Sequence, residues 1–455
     1  MQKPLIAVLL ASAFSLNACA ADLIQVYQQA LANDATFASA RASLQVGRES
    51  IGLGRAALLP TVGITGSYTR NNVDQKTWNA TGAFVDPKDP TKIVQGSGLN
   101  TASYNQSSYS ISLQQPLFRW DRWQTYEQSK LQQAIAEAQF AQAQEDLITR
   151  VAQAYFDVLA AQDTLESTRA QKVATTEQLA SAKRNFEVGT QTITDTHEAQ
   201  AAYDLVVSQE IAAVNDLENK KTALQAIIGT PPATLATLRT GVTLTAPQPA
   251  NVDQWVSAAE NQNYAVTVGE LQVQSAMRDI KKNRAGHLPT LDLVATASHQ
   301  NTAGQTPYSG NLTNNAIGVQ YSIPIFSGFA VTGQVRQAIA LEDKARNDLE
   351  ANRRNAALNA RQSYLGVNSG MAQVKALEAA EVSSNSALES NKLGYQVGVR
   401  INIDVLNAQR QLYQTRTDLA RARYNTILAG LKLKSAAGSL REEDLQPINA
   451  LLQQP

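Results

Sequence analysis

The side chains best equipped for bond-making chemistry are few: one cysteine, Cys19, and three histidines, His197, His287 and His299. Metal binding and nucleophilic catalysis need several such groups within reach, usually announced by short ligand spacings. The histidines are scattered, and none has a Cys, Asp or Glu partner at metal-ligand spacing. No glycine-rich phosphate loop is present. The expectation is a protein that is not an enzyme, carries no cofactor or metal, and draws energy from partners. Lysine plus arginine total 39, as do aspartate plus glutamate. That balance argues against a nucleic-acid partner, which calls for a basic excess or stripe.

Cys19 belongs to an export signal. Lys3 supplies a positive start, Pro4 to Leu16 is a short apolar core, and Ala18-Cys19-Ala20 fits the small-residue cleavage rule, so residues 1–20 are expected to be removed. Leu16-Asn17-Ala18-Cys19 also fits a lipobox, which would leave Cys19 as a lipidated N-terminus. The apolar core is too short to span a bilayer, which takes about 20 residues, and no later stretch offers that length without charges.

The elements that must position any functional group are stated twice. Arg55-Ala56-Ala57-Leu58-Leu59-Pro60-Thr61 recurs as Arg284-Ala285-Gly286-His287-Leu288-Pro289-Thr290, and Pro116-Leu117-Phe118 as Pro324-Ile325-Phe326. Val188-Gly189 returns as Val397-Gly398, Asp195 as Asp404, Ala199-Gln200 as Ala408-Gln409, and Gly229 as Gly438. Shared landmarks in one order mark a duplicated unit. The first copy spans 21–230 and the second 264–440, with a linker segment at 231–263 and a tail at 441–455. The first copy carries roughly twenty extra residues between Pro60 and Pro116.

Each copy holds a strand pair, about 61–116 in the first and 290–325 in the second. Val62, Ile64 and Tyr68 alternate with Gly63, Thr65, Ser67 and Thr69; Tyr109, Ile111, Leu113 and Leu117 with Ser108, Ser110, Ser112 and Gln114. Ile317, Val319, Tyr321, Ile323 and Ile325 repeat the pattern, and Leu291 to Asn301 shows it more weakly. Period-2 alternation with a small polar second face fits a strand between lipid and a wet lumen, and also a soluble sheet with one solvated face. The export signal and the aromatics after the strands, Phe118, Trp120, Trp123, Phe326 and Phe329, favour the membrane. Asn71 to Asn105 and Thr302 to Asn315 read as exposed loops. A spanning sheet must close, and the smallest barrels have about eight strands, so one chain cannot form one alone. Two copies would leave a plugged interior; three would leave a lumen.

The remaining length is helix. No proline lies between Pro116 and Pro231 or between Pro324 and Pro447. A helix from Leu117 to Glu187 would run roughly 105 Å at 1.5 Å per residue. Ala134, Ala138, Ala141 and Ala152 among its apolar positions allow close helix packing. The fold class is therefore α+β, a small shared barrel continued by long helices. A general passive porin, the alternative, would need no such helices. A cytoplasmic coiled-coil scaffold would need no strands or export signal, and a trimeric adhesin would place one barrel segment at its C-terminus.

The residues then resemble the TolC family of outer-membrane efflux and secretion channels. The likeness lies in Leu23-Ile24-Gln25-Val26-Tyr27-Gln28-Gln29-Ala30, in Ile193-Thr194-Asp195, and in Gly394-Tyr395-Gln396-Val397-Gly398-Val399-Arg400-Ile401-Asn402-Ile403-Asp404-Val405-Leu406. It covers essentially the whole chain after the signal. The resemblance implies a homotrimer with a twelve-stranded barrel in outer-membrane lipid and a helical tunnel crossing the periplasm, opened by untwisting of the helix tips. An equatorial collar would come from about Pro231 to Asn263 and the C-terminus. Partners would be a periplasmic adaptor and an inner-membrane pump of RND or ABC type. Val188-Gly189-Thr190 and Val397-Gly398-Val399 match the tips on which adaptors dock. Thr194, Asp195, Tyr395 and Arg400 match the closed-state latch. Asp404 matches a carboxylate ring inside the aperture, which would attract cations. The second ring of the family falls at Asn407, which is uncharged, so the aperture should carry about half the usual negative charge. Asn407→Asp is expected to strengthen block by multivalent cations in planar-bilayer conductance; unchanged block would refute the ring.

Overall fold

Asp22 and the spacing Leu23, Val26, Tyr27, Ala30 illustrate how the chain begins its helices. The Asp22 carboxylate accepts the Gln25 N–H at 2.8 Å, and the four apolar residues share one buried face. The computed structural model describes residues 21–77, 84–86, 89–94, 98–239, 241–304 and 309–453. The export signal and Cys19 lie outside them. In order, the first copy comprises α1 (Leu23–Asn33), α2 (Ala35–Ala56), β1 (Thr61–Thr77), β2 (Phe84–Asp86), β3 (Asp89–Val94), β4 (Gly98–Phe118), α3 (Trp120–Glu187) and α4 (Ile193–Ile228). A short β5 (Thr237–Leu238) precedes α5 (Val252–Gln262) and α6 (Tyr264–Arg284), which open the second copy. It continues with β6 (Thr290–Gly304), β7 (Gly310–Ser322), α7 (Ala330–Gln396) and α8 (Asn402–Ala436), before a small α9 (Leu445–Asn449) and β8 (Leu452–Gln453).

The duplication is plain in the lengths: α3 has 68 residues and α7 67, α4 has 36 and α8 35. Alanine, glutamine, glutamate and lysine favour helix throughout, and no proline interrupts them. None of the helices among the described residues is long and apolar enough to cross a membrane.

Two compact units result. One contains Arg48–Gln133 and Gln274–Lys344, the other the residues up to Gly47, Ala134–Val273 and those from Ala345 on. The first holds an antiparallel four-stranded sheet in the order β1-β4-β6-β7, so β1 and β7 each keep one edge without a strand partner among the described residues. Register sorts the side chains. Val62 faces Leu113, Ile64 faces Ile111, Leu293 faces Val319 and Ala295 faces Ile317, all on one side. The other side carries Ser67 opposite Ser108, whose hydroxyls lie 2.8 Å apart, and Ser112 opposite Thr296. Val62, Ile64, Ile317, Val319 and Tyr321 are exposed. Phe118, Trp120, Trp123, Phe326 and Phe329 are exposed as well.

The expected loops are shorter than their composition suggests. β1 continues through Asn71 to Thr77 against β4 from Gly98, and β2 and β3 form a hairpin of their own. β6 likewise reaches Gly304 and β7 begins at Gly310. These extensions are rich in Asn and Thr with few apolar residues, so backbone pairing holds them without a regular apolar alternation to betray them. The helix expected from Leu117 starts at Trp120, because Pro116 to Phe118 still pair with β6. Just there, the Arg119 guanidinium grips Asp292 with Nε–Oδ1 at 3.1 Å, and Gln114 donates to the same carboxylate at 3.3 Å.

The helical unit has its main core where α1, α3, α4 and α8 meet, around Leu23, Leu147, Tyr155, Phe156, Leu159, Leu224, Ile228 and Leu431. Tyr155 is fully buried, and its hydroxyl donates to the Ala236 carbonyl at 2.7 Å. Both ends of the described chain are tied in beside it. β5 pairs with β8, and Asn449 accepts the Leu23 N–H at 3.1 Å. Asp34 caps α2, accepting from Phe37 N–H at 2.6 Å, and takes both guanidinium nitrogens of Arg150 at 3.0 and 3.1 Å. Burial opposes its charge, but the Arg150 hydrogen bonds and the cap outweigh it and hold the carboxyl below its usual range.

Glu145 is the opposite case. It is buried, and desolvation outweighs the Leu440 N–H at 3.1 Å, the Ser435 hydroxyl at 3.4 Å and the Arg441 charge, pushing its carboxyl up to about 7. The folded state therefore holds a proton that the unfolded chain has released, so stability falls as pH rises from about 4.5 through 7. Glu145→Gln is expected to stabilise the fold at pH 8, by at most on the order of 3 kcal/mol, and so to raise the thermal midpoint there while leaving it nearly unchanged at pH 4. Circular dichroism melts at the two pH values test this; equal shifts at both would refute it.

Candidate functional site

The candidate site lies at the two turns that join α3 to α4 and α7 to α8, both within the helical unit. Each helix ends in the same way. Gly189 has φ +77° and donates to the Phe186 carbonyl at 3.0 Å, while Thr190 N–H reaches back to Asn185 at 2.8 Å. Gly398 has φ +80° and donates to Tyr395 at 3.2 Å, while Val399 N–H reaches Gly394 at 2.9 Å. This is the Schellman arrangement, in which a residue just past the helix adopts left-handed backbone, so glycine is needed there. Val188, Gly189, Thr190, Val397, Gly398 and Val399 are all exposed. Val188 and Val399 are 73% and 76% accessible, so each tip presents apolar surface to its surroundings.

The starts of the following helices differ. Thr192 caps α4: its N–H donates to Asp195 Oδ2 at 3.1 Å and its hydroxyl at 2.8 Å, while the Asp195 N–H returns to that hydroxyl at 3.4 Å. The equivalent residue before α8 is Ile401, which has no side-chain acceptor. Asp404 is left with the Ile401 N–H at 3.5 Å and the Arg400 guanidinium at 3.7 Å. Arg400 is exposed, so that pair is worth about 0–1 kcal/mol. Asp195 is thus committed to its own helix start, whereas Asp404 keeps most of its capacity as an acceptor. Asn407, one turn on, is exposed.

Within the chain, no hydrogen bond or ion pair among the described residues joins Thr194 or Asp195 to Tyr395 or Arg400. Thr194 is exposed. Tyr395 packs on Leu388, Val405 and Leu412, and its hydroxyl accepts from Gln191 Nε2 at 2.5 Å. Two further residues, which the motifs did not point to, join the hairpins. Asn402 Nδ2 donates to the Asp195 carbonyl at 3.1 Å, and Gln178 Nε2 donates to Asn402 Oδ1 at 2.5 Å. The signal for Asn402 was a lone amide between Ile401 and Ile403 at a helix start; Gln178 is one glutamine among many and had none. Leu179, Ala182, Ala199 and Leu406 form the small apolar cluster beside them. The histidines stay apart: His197 is exposed on α4, His287 lies between α6 and β6, and His299 on β6 bonds Thr313 at 3.0 Å.

The sequence matches the family of outer membrane efflux proteins over residues 26–230 and 255–439. It is 33% identical to the outer membrane protein TolC of Vibrio cholerae over 434 residues, covering 95% of this chain and 94% of that one. It is 31% identical to the alkaline protease secretion protein AprF of Pseudomonas aeruginosa, covering 95% and 88%. The fold is similar to that of the CmeC outer membrane channel of Campylobacter jejuni, with TM-score 0.77, 17% identity, and coverage of 95% and 90%.

The capping difference is directly testable. Ile401→Thr supplies the missing acceptor and is expected to stabilise the start of α8 by about 1 kcal/mol, slowing amide exchange there. Thr192→Ala should speed exchange in the first turn of α4 by a similar factor. Equal behaviour of the two turns would contradict the asymmetry.

Proposed function

Because the chain belongs to the outer membrane efflux protein family, whose members are outer-membrane channels, we propose that it works as a homotrimeric exit duct for an inner-membrane pump. The observation that carries this is the four-stranded sheet, with one apolar face exposed and both edge strands open. Three such sheets joined edge to edge make a closed barrel with the apolar faces toward lipid and the serine-rich faces around a lumen. The long helices extend the duct into the periplasm, where the exposed tips at Val188-Gly189-Thr190 and Val397-Gly398-Val399 receive an adaptor protein. The pump, of RND or ABC type, supplies the energy, and the duct opens by untwisting of its tips.

In this proposal Asp404 lines the aperture, with Asn407 as an uncharged second position. Thr194, Asp195, Tyr395 and Arg400 are not bonded to one another within the chain, so the latch they form acts between copies. Arg400 suits that role, since among the described residues its guanidinium has only the weak pair with Asp404. The efflux family supports expulsion as the role, and the relative named for alkaline protease secretion supports export of protein.

Purified protein is expected to run as a heat-modifiable trimer whose small bilayer conductance grows on Arg400→Ala. A photo-cross-linker at Val188 or Val397 should capture a periplasmic adaptor in cells, and with it the pump. A monomer with a large, permanently open conductance would instead indicate a passive porin.

A further inference from the structure

The tip residues are almost all exposed, yet Asn402, the first residue of α8, is only 1% accessible. A primary amide has two N–H donors and an oxygen, and hiding it without partners costs about 1–3 kcal/mol. Asn402 meets that cost with bonds to the other hairpin alone. Its Nδ2 donates to the Asp195 carbonyl on α4, and its Oδ1 accepts from Gln178 on α3. One side chain thus ties α8 to both helices of the neighbouring hairpin.

The surroundings make this tie decisive. Gln191 Oε1, Thr196 Oγ1 and Gln409 Oε1 are buried near the tips without a hydrogen-bond partner among the described residues of the chain. Each is less satisfied than it would be in water, so each favours a hydrated arrangement. The apolar cluster alongside is small, with alanines at two of its four buried positions. A packed interface of this kind has little hydrophobic adhesion, and specific hydrogen bonds set whether it stays shut. The first copy has no equivalent: the residue at the matching place is Ile193, which is exposed.

We propose that Asn402 and Gln178 form an intrachain clasp that holds the two hairpin tips together and thereby positions the aperture. The proposal rests on the duct function above and adds a pair of positioning residues inside one copy. Asp404 lies two residues beyond Asn402, roughly 200° around the helix. Clasping Asn402 to the neighbouring hairpin therefore turns Asp404 to the opposite side of α8. Releasing the clasp frees the start of α8 to move, and the carboxylate with it.

The test uses the full-length protein with spin labels at Val188 and Val397, both exposed and outside the clasp. Electron–electron distance measurement should give one narrow distribution, broadened and lengthened by Asn402→Leu. Gln178→Leu should change it in the same direction but less, and the double variant should match Asn402→Leu alone, since that substitution already removes the bond Gln178 makes. On unlabelled trimers in planar bilayers, each variant should raise open probability roughly tenfold, the factor expected from losing one or two hydrogen bonds of ordinary net strength. A distance distribution unmoved by Asn402→Leu, or fully additive effects of the two variants, would overturn the clasp. A broadened distribution with unchanged open probability would overturn its role at the aperture. Failure of the duct function itself would look different: wild-type protein would show no closed state, while the distances would still decide whether the hairpins are clasped.

Discussion

A strand edge in hydrocarbon has no water to satisfy its N–H and C=O groups, and each unpaired group costs several kcal/mol. The sheet of this chain ends in two such edges, on β1 and β7, while its apolar face is laid open at Val62, Ile64, Ile317, Val319 and Tyr321. Neither feature is tolerable in a lone chain. In the proposed duct, further copies joined edge to edge in lipid answer both, and the rest of the architecture fits that demand. The serine and threonine face can stay hydrated only if closure leaves an interior. The Arg119–Asp292 pair pins the point where β4 gives way to α3, on the polar side of the sheet.

Duplication solves the topology economically, since one helix–strand–strand–helix plan made twice yields two strand pairs and two helical hairpins. Function then depends on where the copies part. Both turns use the same glycine-ended helix stop, so Gly189 and Gly398 are interchangeable in role. Thr192 and Ile401 are not. A hydroxyl at the first cap engages Asp195 in short local bonds, and its absence at the second leaves Asp404 with only the longer contacts to Ile401 and Arg400. Asn402 and Ile193 are a second divergent pair, and only the amide reaches across to the other hairpin. Small changes at helix starts have divided the copies into a fixed side and an adjustable one.

How much of this was legible beforehand follows from the physics of each signal. Strand segments such as Val62–Tyr68 and Ile317–Tyr321 announce themselves because one face is apolar. Their extensions through Asn71–Thr77 and Gly98–Asn105 do not, because the few apolar residues there follow no regular alternation and backbone pairing leaves no trace in residue type. The turn glycines were legible, since positive φ restricts the choice of residue. The burial of Asn402 was not, because an amide looks the same in sequence whether it is solvated or locked between helices.

The sequence by itself determined the local and the repeated: where the long helices and the apolar-faced strand segments lie, where each long helix stops, and that the plan occurs twice. Those properties depend on residue type and on periodicity along the chain, both of which are one-dimensional. Only the tertiary structure decided the strand order that leaves β1 and β7 as edges, the pairing of β5 with β8, and the partners of Asp195, Tyr395 and Asn402. Those depend on side chains up to several hundred positions apart being brought within about 3 Å, and hydrogen bonding at that range is set by packing geometry that no local pattern encodes.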